Sequence, residues 1–155
     1  MRIGARTLLL GAILALTTGA LAQSPRDTTC RVVRGSIVPA CDAQICNRGT
    51  VVGDLHGQFT SRVTSIYPAV SGWIYTAWTR IDLDNKEGRI ETVNFATTPF
   101  DSKGGPDLSQ STEILTLTET TGKYEEYSGT IVISGAHPIG RATPYSGEIC
   151  HRTAP

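Results

Sequence analysis

The strongest constraint on the fold of this chain is a series of short β-type segments separated by turns that contain glycine or proline. Segments of this kind occupy residues 30–35, 49–67, 73–83, 89–96, 111–119, 129–134 and 141–152. No segment keeps the 3.6-residue apolar period of a helix over ten residues. About eight strands at short spacing, without helices, predict an all-β fold, either an antiparallel sandwich or a barrel.

The N-terminal residues have the features of a secretory signal peptide. Arg2 and Arg6 form a basic region, residues 8–16 (LLLGAILAL) form an apolar region, and residues 20–22 (ALA) fit a signal-peptidase cleavage site. The alternative, an uncleaved membrane anchor, is disfavoured because the apolar run is too short and too interrupted to span a bilayer.

Cleavage after the leader divides the chain into a signal peptide at residues 1–22 and a single β-barrel domain at residues 23–155. Loss of Arg2 and Arg6 lowers Lys plus Arg from 14 to 12 against 14 Asp plus Glu, so the mature net charge is −2. That balance argues against nucleic acid or an anionic membrane surface as a partner. We therefore expect a secreted or periplasmic protein with no membrane span after signal cleavage.

Four cysteines remain after cleavage, and an even count in an exported chain indicates disulfides, with three connectivities open. We favour Cys41–Cys46 closing a short loop and Cys30–Cys150 joining the chain ends. The long-range bridge would place the first and last strands side by side, which suits a closed barrel without free edges. A metal site that includes His151 is the alternative, but its spacing matches no zinc pattern, so we predict no metal.

Two stretches carry a resemblance to a known family. Residues 121–124 (TGKY), followed by residues 127–129 (YSG) and a strand, are similar to the "GTGKF…ARGYA" turn and strand of plant dirigent proteins and to the corresponding turn of allene oxide cyclases. Residues 53–59 (GDLHGQF) resemble the dirigent "GRAQGLY" strand. The order of elements also agrees over residues 49–149.

The resemblance implies an eight-stranded antiparallel β-barrel, a homotrimer, and a lumen that holds a small apolar or phenolic ligand. Members of this superfamily cyclise a reactive intermediate or orient radicals for stereoselective coupling, without a metal or organic cofactor. This chain departs from the family at Asp54 and His56, which replace an Arg and a Gln, and in its cysteine-tied N-terminal loop. These departures favour a shared superfamily fold over a shared reaction.

One candidate site follows a single face of the segment at residues 49–67, where Asp54, His56, Gln58 and Arg62 alternate. Residues two apart on a strand lie about 7 Å apart on one face. That distance would let Asp54 tune His56 and share an acid–base task with it. The alternative is a solvated outer face of a barrel strand.

A second candidate face contains Trp78, Arg80 and Asp82. Inside a lumen, Arg80 could hold a phenolate, an enolate or a carboxylate against the flat wall of Trp78. On the outside, Arg80 would simply pair with Asp82. Tyr75 on the opposite strand face and Tyr124 in the later turn complete the predicted ligand-binding residues.

Two functions follow from these patterns. The first is a secreted cofactor-free barrel enzyme of cyclase, isomerase or lyase type, acting on a small aromatic or polyene-like substrate with Asp54, His56 and Arg80 as catalytic residues. The alternative is a non-catalytic secreted barrel that binds a small apolar ligand or a protein partner. No nucleophile elbow, P-loop or dinucleotide fingerprint is present, which disfavours hydrolases, kinases and dehydrogenases. The loop at residues 97–110 is the longest and could lie over a barrel mouth.

Overall fold

A computed structural model of the chain describes residues 28–41, 47–135 and 141–152. Each strand pairs antiparallel with its neighbour in sequence, and the last pairs with the first, so the sheet closes into a barrel. The strands are β1 (Thr28–Pro39), β2 (Arg48–Gly53), β3 (Gly57–Ala69), β4 (Gly72–Leu83), β5 (Gly88–Pro99), β6 (Thr112–Thr120), β7 (Tyr127–Ser134) and β8 (Thr143–Arg152). The prediction of an all-β, eight-stranded antiparallel barrel is confirmed.

The closure between β1 and β8 carries the predicted disulfide. Cys30 lies directly opposite Cys150 in the register of these strands, and a disulfide joins the two residues across a sequence separation of 120. A closed loop of that length stabilises the folded state by about 4–5 kcal/mol in the chain-entropy treatment. The predicted partner of Cys41 is Cys46, which lies outside the described residues, as does the predicted signal peptide. None of the helices in the described residues is long and apolar enough to cross a membrane.

The sequence-based prediction of one long strand at residues 49–67 is wrong. The chain reverses after Gly53, whose φ is +114°, and the segment becomes β2 and β3, which pair with each other. The turn is held to β1 because Asp54 N donates to Arg34 O at 2.9 Å and Arg34 N donates to Asp54 Oδ2 at 2.7 Å. Leu55 points into the barrel and is only 1% exposed. This split supplies the eighth strand.

One end of the barrel is filled by side chains, and Leu55 lies at its centre. The Tyr145 hydroxyl accepts a hydrogen bond from Leu55 N at 3.0 Å and lies 3.3 Å from Leu55 O, to which it can donate. Tyr124 is 1% exposed, and its hydroxyl donates to Asp54 O at 3.3 Å. The β4–β5 hairpin turn also lies at this closed end as a 3₁₀ turn, Asp84–Lys86.

The inward faces follow the two-residue period of the strands. Across β4, β5 and β6, the register aligns Tyr75 with Ala96 and Ala96 with Glu113. The next layer towards the closed end aligns Ala77, Asn94 and Leu115, which are all buried. Polar side chains therefore enter the lumen from β5 and β6, in phase with apolar neighbours.

Candidate ligand-binding cavity

The half of the lumen away from the closed end contains a cavity of about 430 Å³. This volume falls within the range of about 300–1,000 Å³ that small-molecule sites occupy. Aliphatic and aromatic side chains make most of its wall: Ile37, Pro39, Val51, Phe59, Val63, Ile66, Trp73, Ala77, Ile81, Leu115 and Ile133. The cavity exists because the inward side chains at this end are too few or too small to fill the ring.

The loop between β5 and β6 forms part of the cavity wall at the mouth. Pro106 and Leu108 from this loop line the cavity. The loop is anchored by Phe100, whose backbone N donates to Ser71 O at 3.0 Å and whose ring meets Trp73 edge-to-face at 6.0 Å between centroids. The longest predicted loop thus lies at the barrel mouth, where the sequence analysis suggested it could lie.

A cluster of hydrogen-bonded polar side chains interrupts the apolar wall. Asn94 Nδ2 donates to Glu113 Oε1 at 2.7 Å and to Thr79 Oγ1 at 2.7 Å. Thr92 Oγ1 donates to Asn94 Oδ1 at 2.6 Å. Asn94 therefore has both of its donor hydrogens and its carbonyl engaged, which fixes the orientation of its amide.

The cluster continues from β4 to β3. Thr79 Oγ1 donates to Ser61 Oγ at 2.8 Å, and Ser61 Oγ donates to the backbone oxygen of Trp78 at 3.3 Å. Each hydroxyl has one hydrogen, so the donor of each bond is determined: Asn94 donates to Thr79, Thr79 to Ser61, and Ser61 to the β4 backbone. The polar atoms are thus satisfied by one another rather than left unpaired in an apolar wall.

Glu113 is the acidic residue among the described residues that line the cavity. Burial raises the pKa of the Glu113 carboxyl, and the hydrogen bond from Asn94 opposes that rise only in part. The exposed part of the side chain opens into the cavity that it lines, so protein atoms surround the carboxyl on most sides. Burial also raises the pKa of the Tyr75 hydroxyl, and the nearby Glu113 charge adds to the rise. Both groups therefore favour their neutral forms.

Four of the predicted site residues lie away from the cavity. Asp54 is in the β2–β3 turn, and His56, in the same turn, has its Nδ1 2.7 Å from Asp84 Oδ2 rather than beside Asp54. The His56 side chain is 61% exposed, and Gln58 and Arg62 are exposed on the outer face of β3. None of these four described side chains lines the lumen.

The second predicted face also points outward. Arg80 Nε donates to both carboxylate oxygens of Asp82, at 2.8 and 3.0 Å, which is the surface pair that the sequence left as the alternative. Trp78 lies on the same outer face of β4, and Tyr124 is buried at the closed end. Tyr75 is the predicted site residue that does line the cavity.

Four polar residues at the cavity were not predicted from the sequence: Glu113, Asn94, Thr79 and Ser61. The available signal was phase: Glu113 alternates in step with Leu115 and Leu117, although a charged residue is unusual on an apolar strand face. Asn94 is similarly in phase with buried neighbours on β5.

The described residues also contain one close group of potential metal ligands, formed by Cys30, Glu148 and Cys150. The two sulfur atoms of this group form the disulfide, so they are not available as thiolate ligands. The group lies on the β1–β8 seam and does not contribute to the cavity.

The fold and the cavity together define a closed antiparallel β-barrel with a ligand-sized lumen. Comparison of the chain with protein-family models, with curated proteins and with solved structures finds no match. The resemblance to dirigent proteins and allene oxide cyclases is therefore supported only at the level of an eight-stranded antiparallel barrel.

Proposed function

We propose that this protein binds a small, largely apolar molecule in the lumen of its barrel. The observation that carries the proposal is the cavity of about 430 Å³, whose apolar wall is interrupted by the hydrogen-bonded cluster at Glu113. Burial of apolar ligand surface against such a wall is favourable by about 25 cal/mol per Å² before the entropic costs of binding. The polar cluster would then orient one end of the ligand.

The aromatic groups support binding of a flat or ring-containing ligand. Phe59 lines the cavity from β3, and Trp73 lines it at the mouth. The Phe100 ring packs edge-to-face against Trp73. Aromatic side chains offer a large contact area with few rotatable bonds.

The two tryptophans of the chain provide a direct test. Trp73 lines the cavity, whereas Trp78 lies on the outer face. The neutral fluorophore 1-N-phenylnaphthylamine should bind and accept excitation energy from tryptophan. Trp73→Phe should change the affinity of the probe, because it alters the cavity wall, whereas the matched variant Trp78→Phe should leave the affinity unchanged. Absence of saturable binding by this probe and by other apolar probes of similar size would refute the proposal.

A second candidate function is cofactor-free catalysis of cyclase, isomerase or lyase type on a ligand in the same cavity. The observation that favours it is the desolvated Glu113 carboxyl, since a carboxylic acid held neutral in an apolar site can act as a general acid. In this reaction the cavity shape would supply stereocontrol. Glu113→Gln would abolish turnover while retaining ligand affinity, whereas in a pure binding protein no turnover would exist to lose.

Location and assembly remain proposals. The signal-peptide pattern and the Cys30–Cys150 disulfide support a secreted or periplasmic protein. The homotrimer comes from the family resemblance, and exposed Val93, Phe95 and Ile114 on the outer face of β5 and β6 supply apolar surface for self-association. Native mass spectrometry of the exported protein would test the mass of the assembly and any bound molecule together.

A further inference from the structure

Three polar side chains of the cavity, Asn94, Thr79 and Ser61, have no hydrogen left to offer a ligand. Asn94 donates its two amide hydrogens to Glu113 and Thr79, and Thr79 donates its hydroxyl hydrogen to Ser61. Thr98, nearer the mouth, shares a hydrogen bond of 2.8 Å with the hydroxyl of Ser111, and the hydroxyl that accepts in this pair keeps its own hydrogen. Asn94, Thr79 and Ser61 therefore stabilise one another and would not be the primary recognition elements.

Three polar side-chain atoms that belong to lining residues have no hydrogen-bond partner among the described residues. They are Glu113 Oε2, the Tyr75 hydroxyl and Trp73 Nε1. A neutral carboxyl, a phenol and an indole each carry a hydrogen that can be donated. The polar atoms of the cavity that lack a partner are thus mainly hydrogen-bond donors.

Tyr75 and Glu113 are positioned to donate hydrogen bonds to the same polar group of a ligand. Their backbones lie on either side of Ala96 in the same register layer, two strand spacings or about 10 Å apart. Ala96 between them has a short, fully buried side chain, and the Glu113 charge acts on the Tyr75 hydroxyl across it.

The charge of the cavity excludes an anionic ligand. The described residues that line it include no lysine, arginine or histidine. The described groups around Glu113 are Tyr75 from β4, Asn94 from β5 and Ile133 from β7, and only Tyr75 among them titrates. A carboxylate placed there would be buried beside another acid without a cation to pair with.

Resting on the proposed function, we infer that the ligand is a neutral molecule with an apolar body and an acceptor oxygen, such as a ketone, enone or ester carbonyl. That oxygen receives one hydrogen bond from the Glu113 carboxylic acid and one from the Tyr75 hydroxyl. Asn94 is a positioning residue, because its bond to Oε1 leaves Oε2 as the free oxygen that faces the ligand.

The test uses four ligands that share a naphthalene ring and the same number of heavy atoms. They are 2-acetylnaphthalene, 2-isopropylnaphthalene, 2-naphthoate and 1-(2-naphthyl)ethylamine, and the readout is displacement of bound 1-N-phenylnaphthylamine from the oxidised protein. We expect the ketone to bind about 10- to 100-fold more tightly than its isopropyl analogue, since each neutral hydrogen bond contributes about 3- to 10-fold. The carboxylate should bind most weakly.

Variants then assign the preference to residues. Tyr75→Phe should lower ketone affinity by about 3- to 10-fold and leave the isopropyl analogue unchanged. Glu113→Gln should keep the ketone preference at every pH, because its amide also donates, whereas wild-type affinity for the ketone should fall as Glu113 ionises. Tyr67→Phe and Glu125→Gln, at exposed positions, are the matched controls and should change nothing.

The outcomes separate the two proposals. If neither the probe nor any of the four ligands binds, the proposed function fails and this inference fails with it. If the isopropyl analogue binds as well as the ketone, the lumen is a binding site but the carbonyl inference is overturned. Tightest binding of the ammonium or of the carboxylate would overturn it in the same way.

Discussion

Asn94 on β5 donates a hydrogen bond to Glu113 on β6 across 2.7 Å, and the same amide group donates to Thr79 on β4 across 2.7 Å. One amide therefore ties three neighbouring strands together at the wall of the cavity. It also holds an acidic side chain where burial favours its neutral form.

Glu113 should make stability fall as the pH rises. Its folded-state pKa lies above the ordinary value of 4.5, so its contribution is fully present below about pH 4.5 and is lost as the pH rises through the folded pKa. Urea unfolding of wild type and Glu113→Gln between pH 4 and pH 8 measures the effect, with Glu125→Gln as the exposed control. We expect wild type to lose stability relative to Glu113→Gln with rising pH. Parallel pH profiles for the two proteins would contradict the burial of the carboxyl.

Asn94→Leu should destabilise the barrel by about 1–3 kcal/mol, because it removes the amide that donates to Glu113 and Thr79 and accepts from Thr92. It should also move the Glu113 pH dependence to higher pH, since the lost hydrogen bond favours the ionised carboxylate. Denaturant midpoints measure both effects, and Asn47→Ala at an exposed position serves as the control. A variant as stable as wild type would show that the cluster contributes no net stability.

Gly53→Ala should cost more stability than Gly104→Ala. Both glycines have positive φ, at +114° and +80°, but a Cβ at Gly53 would lie 2.5 Å from Arg34 O, whereas nothing lies within 4 Å of one at Gly104. Strain from φ alone costs about 1–3 kcal/mol, and the contact at Gly53 adds to it. Thermal unfolding of the two variants gives the comparison. Equal losses would mean that the β2–β3 turn relaxes away from β1.

The outward residues should be dispensable for ligand binding. His56→Ala removes the ion-pair partner of Asp84 on the β2–β3 turn, and Arg80→Ala removes that of Asp82 on the outer face of β4. Neither side chain lines the cavity. We expect probe affinity equal to wild type in both variants, by fluorescence titration. A large loss of affinity or of turnover in either variant would support the sequence-based prediction that His56 and Arg80 are catalytic residues.

The amino-acid sequence alone predicted the architecture well. The two-residue period of β4, from Trp73 to Leu83, the hairpin turn after it and the spacing of Cys30 and Cys150 are local or covalent properties. They lead directly to an antiparallel sheet whose ends meet, because strand alternation, turn chemistry and a disulfide depend little on the rest of the molecule.

The tertiary structure decided where the polar residues lie. Alternation shows that Asp54 and His56 share a phase, but Gly53 and the contact of Asp54 with β1 convert that stretch into a turn, with Leu55 inside the barrel. Likewise, Asn94 and Glu113 are 19 positions apart, and only strand pairing brings them together. The cavity volume is the interior volume of a closed eight-stranded ring minus the volume of its inward side chains. This quantity exists only once the ring is closed.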